Sequence, residues 1–159
     1  MSRFLFVLAL VLAAVSAPSP AHATTYRPPI AAPVVDGFRL PDGPYGPGNR
    51  GLEYATSPGT PVRAIGAGLV VWAGPVAGNT AVTILHPDGL RSSYSYLAEA
   101  RVKAGERVTA GAVVGIAGER LHLGVRANGA YLDPATLFTT TGVRLVPLGD
   151  RAGTLLGRS

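Results

Sequence analysis

Cysteine is absent from this 159-residue chain. No disulfide, thiolate metal site or thiol nucleophile can form. Histidine is scarce as well: three are present, and only His86 and His122 lie beyond the first two dozen residues. Lysine occurs once, as Lys103, beside thirteen arginines. Aromatic residues make up only 7%. After residue 23, thirteen basic residues face nine acidic ones, scattered along the chain. Scattered charge with few aromatics argues against a nucleic-acid partner, which calls for a basic patch or stripe. Weak, salt-sensitive attraction to a polyanionic cell wall stays open.

A hydrophobic run long enough to span a membrane is also missing. The apolar stretch from Phe4 to Val15 falls short of the roughly 20 residues that a spanning helix needs. It follows Arg3 and precedes Ala21-His22-Ala23, an A-x-A cleavage site, so residues 1–23 read as a secretory signal peptide. The expected mature protein is extracytoplasmic, monomeric and without a transmembrane segment. Residues 24–47 are rich in proline and glycine ("TTYRPPIAAP", "LPDGPYGPGN") and read as an extended tether and lead-in. Residues 48–138 form the domain, and 139–159 a strand near Arg144–Pro147 followed by a tail.

What the domain does have is short β-rich segments cut by glycine turns. "GLVVWAG", "NTAVTIL", "LRSSYSYL", "AVVGIAG" and "LHLGVR" follow one another, and "HPDGL" is a hairpin turn. Strands are expected over Leu69–Trp72, Ala81–Leu85, Ser92–Tyr96 and Leu121–Val125, with turns at Gly105 and Gly118. No window keeps a helical period except "DPATLF", where Asp133 caps and Pro134 takes the first position. The fold class is therefore all-β: an antiparallel β-sandwich or barrel-sandwich hybrid with one short C-terminal helical turn. A faint repeat relates "GTPVRAIGAGLVVWAG" to "GERVTAGAVVGIAG", two units able to pack on one another.

The order of these segments resembles the LytM or lysostaphin-type zinc endopeptidases that cut peptidoglycan cross-links. "NRGLEYATSPGTPVRAIGAGLVVWAG" is similar to that family's H-x-G-x-D segment and the strands after it. "VTILHPDGLRSSYSYL" matches its hairpin, whose motif ends Y-x-H, and "RLHLGVRANGAYLDPATLF" matches its H-x-H strand and D-P turn. The resemblance implies a zinc held by two histidines and an aspartate, with further histidines orienting the attacking water.

Carried over by position, the metal ligands become Asn49, Glu53 and His122, and the water-orienting histidines become Tyr96 and Arg120. A neutral amide is a poor zinc ligand, and arginine cannot act as a base. The resemblance thus implies a degenerate, vestigial metal site, no expected cofactor and no catalytic residue. A binding groove would be walled by Tyr94, Tyr96 and Arg120. The implied protein is a non-catalytic cell-wall domain, with peptidoglycan or a cell-wall hydrolase as partner. The alternative is an active zinc peptidase using Asn49, Glu53 and His122. A weaker alternative is a lipoyl- or biotinyl-like carrier, which would need Lys103 at a hairpin tip. Arg120 and His122 lie two apart on a strand and should face one groove with Glu53. Arg120 is then expected within about 4 Å of the Glu53 carboxylate, standing in for the metal's charge, with Arg50 facing away.

Overall fold

The computed structural model describes residues 25–43 and 46–138. The expected signal peptide and the C-terminal strand at 144–147 lie outside the described residues. Among the described residues, nine strands run in chain order: β1 (Val34–Asp36), β2 (Leu52–Ala55), β3 (Pro61–Arg63), β4 (Gly68–Val76), β5 (Asn79–Leu85), β6 (Arg91–Ala100), β7 (Arg107–Val108), β8 (Val113–Ala127) and β9 (Ala130–Leu132). A single helical turn, α1 (Ala135–Phe138), follows. Every strand pairing is antiparallel, in the order β1-β2-β8-β6-β5-β4-β7, with β3 and β9 also on β8. The sheet curls over its core without closing, so the all-β reading and its four strands stand.

The α1 turn begins as its sequence requires. The Asp133 carboxylate accepts from Ala135 N at 2.9 Å, and Pro134 occupies the position where no amide donor is needed. The repeat also has a structural counterpart, because its two units exchange strands. The first unit's β3 pairs with β8 of the second, and its β4 pairs with β7 of the second. Ala64 and Val70 of the first unit each trade backbone hydrogen bonds with residues 105–112 of the second.

Two expectations change. Gly118 is not a turn: it lies inside the 15-residue β8, which runs through both segments that the glycine had divided. A Cβ there would meet Tyr96 O at 3.0 Å, so the glycine serves close approach of β6 rather than a reversal. Conversely, Asn128-Gly129 is a turn that opens the hairpin to β9, with φ of 49° and 84°. Asn-Gly is a strong hairpin signal, and the sequence reading passed over it.

The proline-rich lead-in, read from the sequence as an extended tether, bends at residues 29–32 and is bonded to the domain. Arg27 N donates to Ile65 O, Arg63 N to Pro29 O and Ala55 N to Pro33 O. Tyr26, Pro29 and Ile30 are buried. The segment is a strap laid along the domain. Beneath it lies the core, built on Val62, Ile65, Val70, Ile84, Leu121 and Leu123, each at 0–1% exposure. Each such side chain contributes about 1.5–3 kcal/mol of burial.

A polar thread crosses this core. Tyr26 donates its hydroxyl to Asp88 and meets the His86 ring edge-on at 5.1 Å. His86 Nδ1 lies 2.8 Å from Ala67 O, a pure acceptor, so that nitrogen carries the proton and Nε2 accepts from Ser92 Oγ at 2.8 Å. Ser92 Oγ lies 3.2 Å from the Tyr94 hydroxyl, which accepts from Ile65 N. Burial pushes the His86 pKa down and the Tyr94 hydroxyl up to about 12. His86 is a satisfied core histidine.

Candidate functional site

The open face of the sheet carries the residues that the motif comparison singled out. Cross-strand partners share a face, so the register lays this surface out in rows. The first row is Glu53 on β2, His122 on β8 and Ser95 on β6. The second is Gly124, Ser93, Thr83 and Trp72, where the lone tryptophan is 48% exposed. The third is Tyr131, Arg126, Arg91 and Leu85. Small side chains in the second row leave a shallow floor between the first and third. The Ser93 and Thr83 hydroxyls are 3.1 Å apart on that floor.

Glu53 and His122 meet directly, Oε1 to Nδ1, at 3.0 Å, with both side chains about one-fifth exposed. An ionised carboxylate only accepts, so Nδ1 carries a proton, and Nε2 is the ring nitrogen that Glu53 does not engage. Glycine makes room for this ring. A Cβ on Gly51 would lie 2.8 Å from both Cε1 and Nε2 of His122, and 2.2 Å from Leu123 O.

Arg120 departs from the expectation. It shares the face but stands opposite Ala55, two pairs beyond Glu53. Its guanidinium lies 3.8 Å from the centroid of the Tyr96 ring. The expected Arg120–Glu53 contact does not form, for two reasons. His122 stands directly across from Glu53 and takes its carboxylate. The Tyr96 ring also offers Arg120 a cation–π partner without desolvating the charge.

Tyr96 can do this because β6 bulges there. Its φ is +64°, and the register slips between Ser95 and Leu97. A bulge re-aims side chains and breaks the period-2 rule. The sequence reading placed Tyr94 and Tyr96 together on a groove wall. Instead, Tyr94 is fully buried in the core and only Tyr96 lies at the surface, beside Arg120 in a cavity of about 510 Å³.

Asn49 stands apart from this cluster. It is 6% exposed, and its amide is committed: Nδ2 donates to Asp36 O at 3.2 Å and Oδ1 accepts from Gly51 N at 3.1 Å. It ties the lead-in to β2, helped by paired backbone bonds with Arg39. Arg50 lies 5.8 Å from the Tyr131 ring. Sequence reasoning did not single out Ser95, Gly51 or Arg126. Their two-residue spacing from Ser93, Glu53 and Gly124 was the available signal.

A zinc of the kind that the resemblance implies does not fit these donors. Catalytic zinc takes three protein ligands and a water. Here Glu53 Oε1 is taken by His122 Nδ1, His122 Nε2 is left as the one nitrogen donor of the mapped positions, and the amide of Asn49 is spent on backbone groups. No group of three or more His, Cys, Asp or Glu able to hold a metal occurs among the described residues. The positive charge of Arg120 on the same face adds to the mismatch.

Comparison with known proteins gives this geometry its context. An uncharacterized protein of Mycobacterium tuberculosis is 39% identical over 86% of this chain; the chain spans 61% of that relative's length. The DD-carboxypeptidase/endopeptidase Mpg of Neisseria meningitidis is 34% identical, over 57% of this chain and 23% of its own. The catalytic domain of the antimicrobial peptidase lysostaphin from Staphylococcus simulans is similar in structure, with a TM-score of 0.57 and 28% identity. It covers 66% of this chain and 90% of its own. The family model for peptidase family M23 matches residues 47–134, from the turn before Asn49 to the cap of α1. The chain belongs to peptidase family M23.

Proposed function

We propose that this chain is an extracytoplasmic, non-catalytic M23 domain that binds peptidoglycan through the open face of its sheet. The observation that carries this reading is the state of the three ligand positions. Asn49 is bound to backbone, while Glu53 and His122 are bound to each other. Among the described residues, no set of three donors is left to hold a metal-activated water.

The same face retains groups suited to recognition. His122 Nε2 is the ring nitrogen that Glu53 does not engage, and Arg120 on Tyr96 presents donors for a carboxylate. Export is supported by the signal-like residues 1–23, and no helix among the described residues is long and apolar enough to cross a membrane. The peptidase names of Mpg and lysostaphin support a cell-wall substrate class.

Co-sedimentation of the mature protein with purified peptidoglycan sacculi tests this, with metal analysis of protein purified without added zinc. Saturable sedimentation, weakened about tenfold by Arg120→Ala, with substoichiometric zinc and no released muropeptide, is the expected result. Stoichiometric zinc together with muropeptide release would overturn the non-catalytic reading. Absence of sedimentation would overturn the ligand.

A further inference from the structure

The third row of the open face holds two arginines directly across from each other. Arg91 on β6 and Arg126 on β8 are register partners, and such like-charged pairs destabilise a sheet unless something neutralises them. Neither is in an ion pair with a carboxylate among the described residues. Arg126 is held in place, stacked 4.1 Å from the Tyr131 ring centroid and donating to its hydroxyl. The Arg91 guanidinium makes no hydrogen bond, ion pair or ring contact with any of the described residues.

Both line a cavity of about 380 Å³, closed by Leu85, Gly89, Asn128 and Gly129. Gly89 and Gly129 belong to two turns at the same end of the sheet, each in the left-handed region at φ of 86° and 84°. No acidic side chain lines the cavity. Asp88, the acid nearest in sequence, is engaged by the Tyr26 hydroxyl and by Leu90 N.

We propose that Arg91 and Arg126 form an oxyanion site that takes a phosphate group. Two guanidinium forks offer paired N–H donors to a tetrahedral oxyanion, and their charges match the one or two that a phosphate carries. Asn128 lines the same cavity and adds a further polar residue. Four residues along β8 separate Arg126 from His122, about 13 Å of extended strand. The site is therefore distinct from the Glu53–His122 pair and stands whether or not the groove is catalytic.

The test uses the ¹⁵N-labelled mature protein, titrated at constant ionic strength with sodium phosphate, dimethyl phosphate or sodium acetate, following the Gly89 and Gly129 amides. Saturable shifts with inorganic phosphate are expected, with affinity falling about tenfold or more in Arg91→Gln. Dimethyl phosphate saturating as well would extend the site to phosphodiesters of a polymer. The thermal midpoint should rise with phosphate in the parent protein and stay level in Arg91→Gln, a change at an exposed residue that keeps Arg126 on Tyr131. Linear shifts, or equal shifts in the variant, would overturn the site. Acetate saturating below phosphate would overturn the phosphate assignment in favour of a carboxylate.

Discussion

His86 and His122 show how the same side chain takes opposite roles under different surroundings. His86 has both nitrogens satisfied inside the core, whereas His122 has one nitrogen on Glu53 and the other over Gly51 and Gly124. Burial holds the folded pKa of His86 below its ordinary 6.5. The unfolded chain therefore binds a proton that the folded chain refuses. Stability should be unaffected by this group above pH 6.5 and fall as pH drops through 6.5 toward the lowered folded value. Urea unfolding at pH 7.5 and at pH 5 reads this slope. His86→Gln should flatten it while lowering the stability at pH 7.5 by about 1–3 kcal/mol, since Ala67 O and Ser92 Oγ lose well-placed partners. An unchanged slope would place the titration elsewhere.

Elements rather than single residues decide which side chains meet in the groove. The long β8 strand contributes Arg120, His122 and Arg126 to one face and Leu121, Leu123 and Val125 to the core. Alternation made that division legible from the sequence alone. On β6 the same rule failed at Tyr96: Tyr94 faces the core in regular register with Leu123, and the bulge turns Tyr96 toward the surface. Bulges depend on the register of the partner strand, and no local pattern announces them.

The strap is a second case. Its prolines read as an unattached tether, yet Tyr26 reaches across the molecule to Asp88 and His86. Tyr26→Phe keeps the ring against His86 and removes the hydroxyl. It should cost about 1.5–3 kcal/mol, the worth of a hydrogen bond to a charged group. Faster exchange of the Arg27 and Arg63 amides, which bond strap to domain, should accompany that loss. Unaltered exchange would mean that Pro29 and Ile30 hold the strap unaided.

For the whole molecule, the question is whether an M23 frame with this donor set can be returned to metal binding. Asn49→His, Glu53→Asp, Arg120→His and Tyr96→His together restore the residue types that the resemblance implies. Tyr96 sits at positive φ, a conformation that histidine tolerates better than most residues. Asn49→His is the costlier change, because it releases Asp36 O and Gly51 N from their side-chain partner. The quadruple variant should bind zinc near one equivalent by elemental analysis, while the parent should not. A folded variant without zinc would show that the backbone has moved the ligand positions apart.

The sequence by itself determined the family, the antiparallel strands, the cap of α1 and the residue types at each position that the resemblance assigns to a ligand. These depend on local periodicity, turn chemistry and side-chain identity, all readable along the chain. Only the tertiary structure decided the partners. Glu53 takes His122 rather than Arg120, Arg120 takes Tyr96, Asn49 takes Asp36 O, and Arg91 faces Arg126. Glu53 and His122 are 69 positions apart, and the register of β2 on β8 brings them together. Register follows from burying one face of every strand at once, a condition on the whole sheet that no single segment contains.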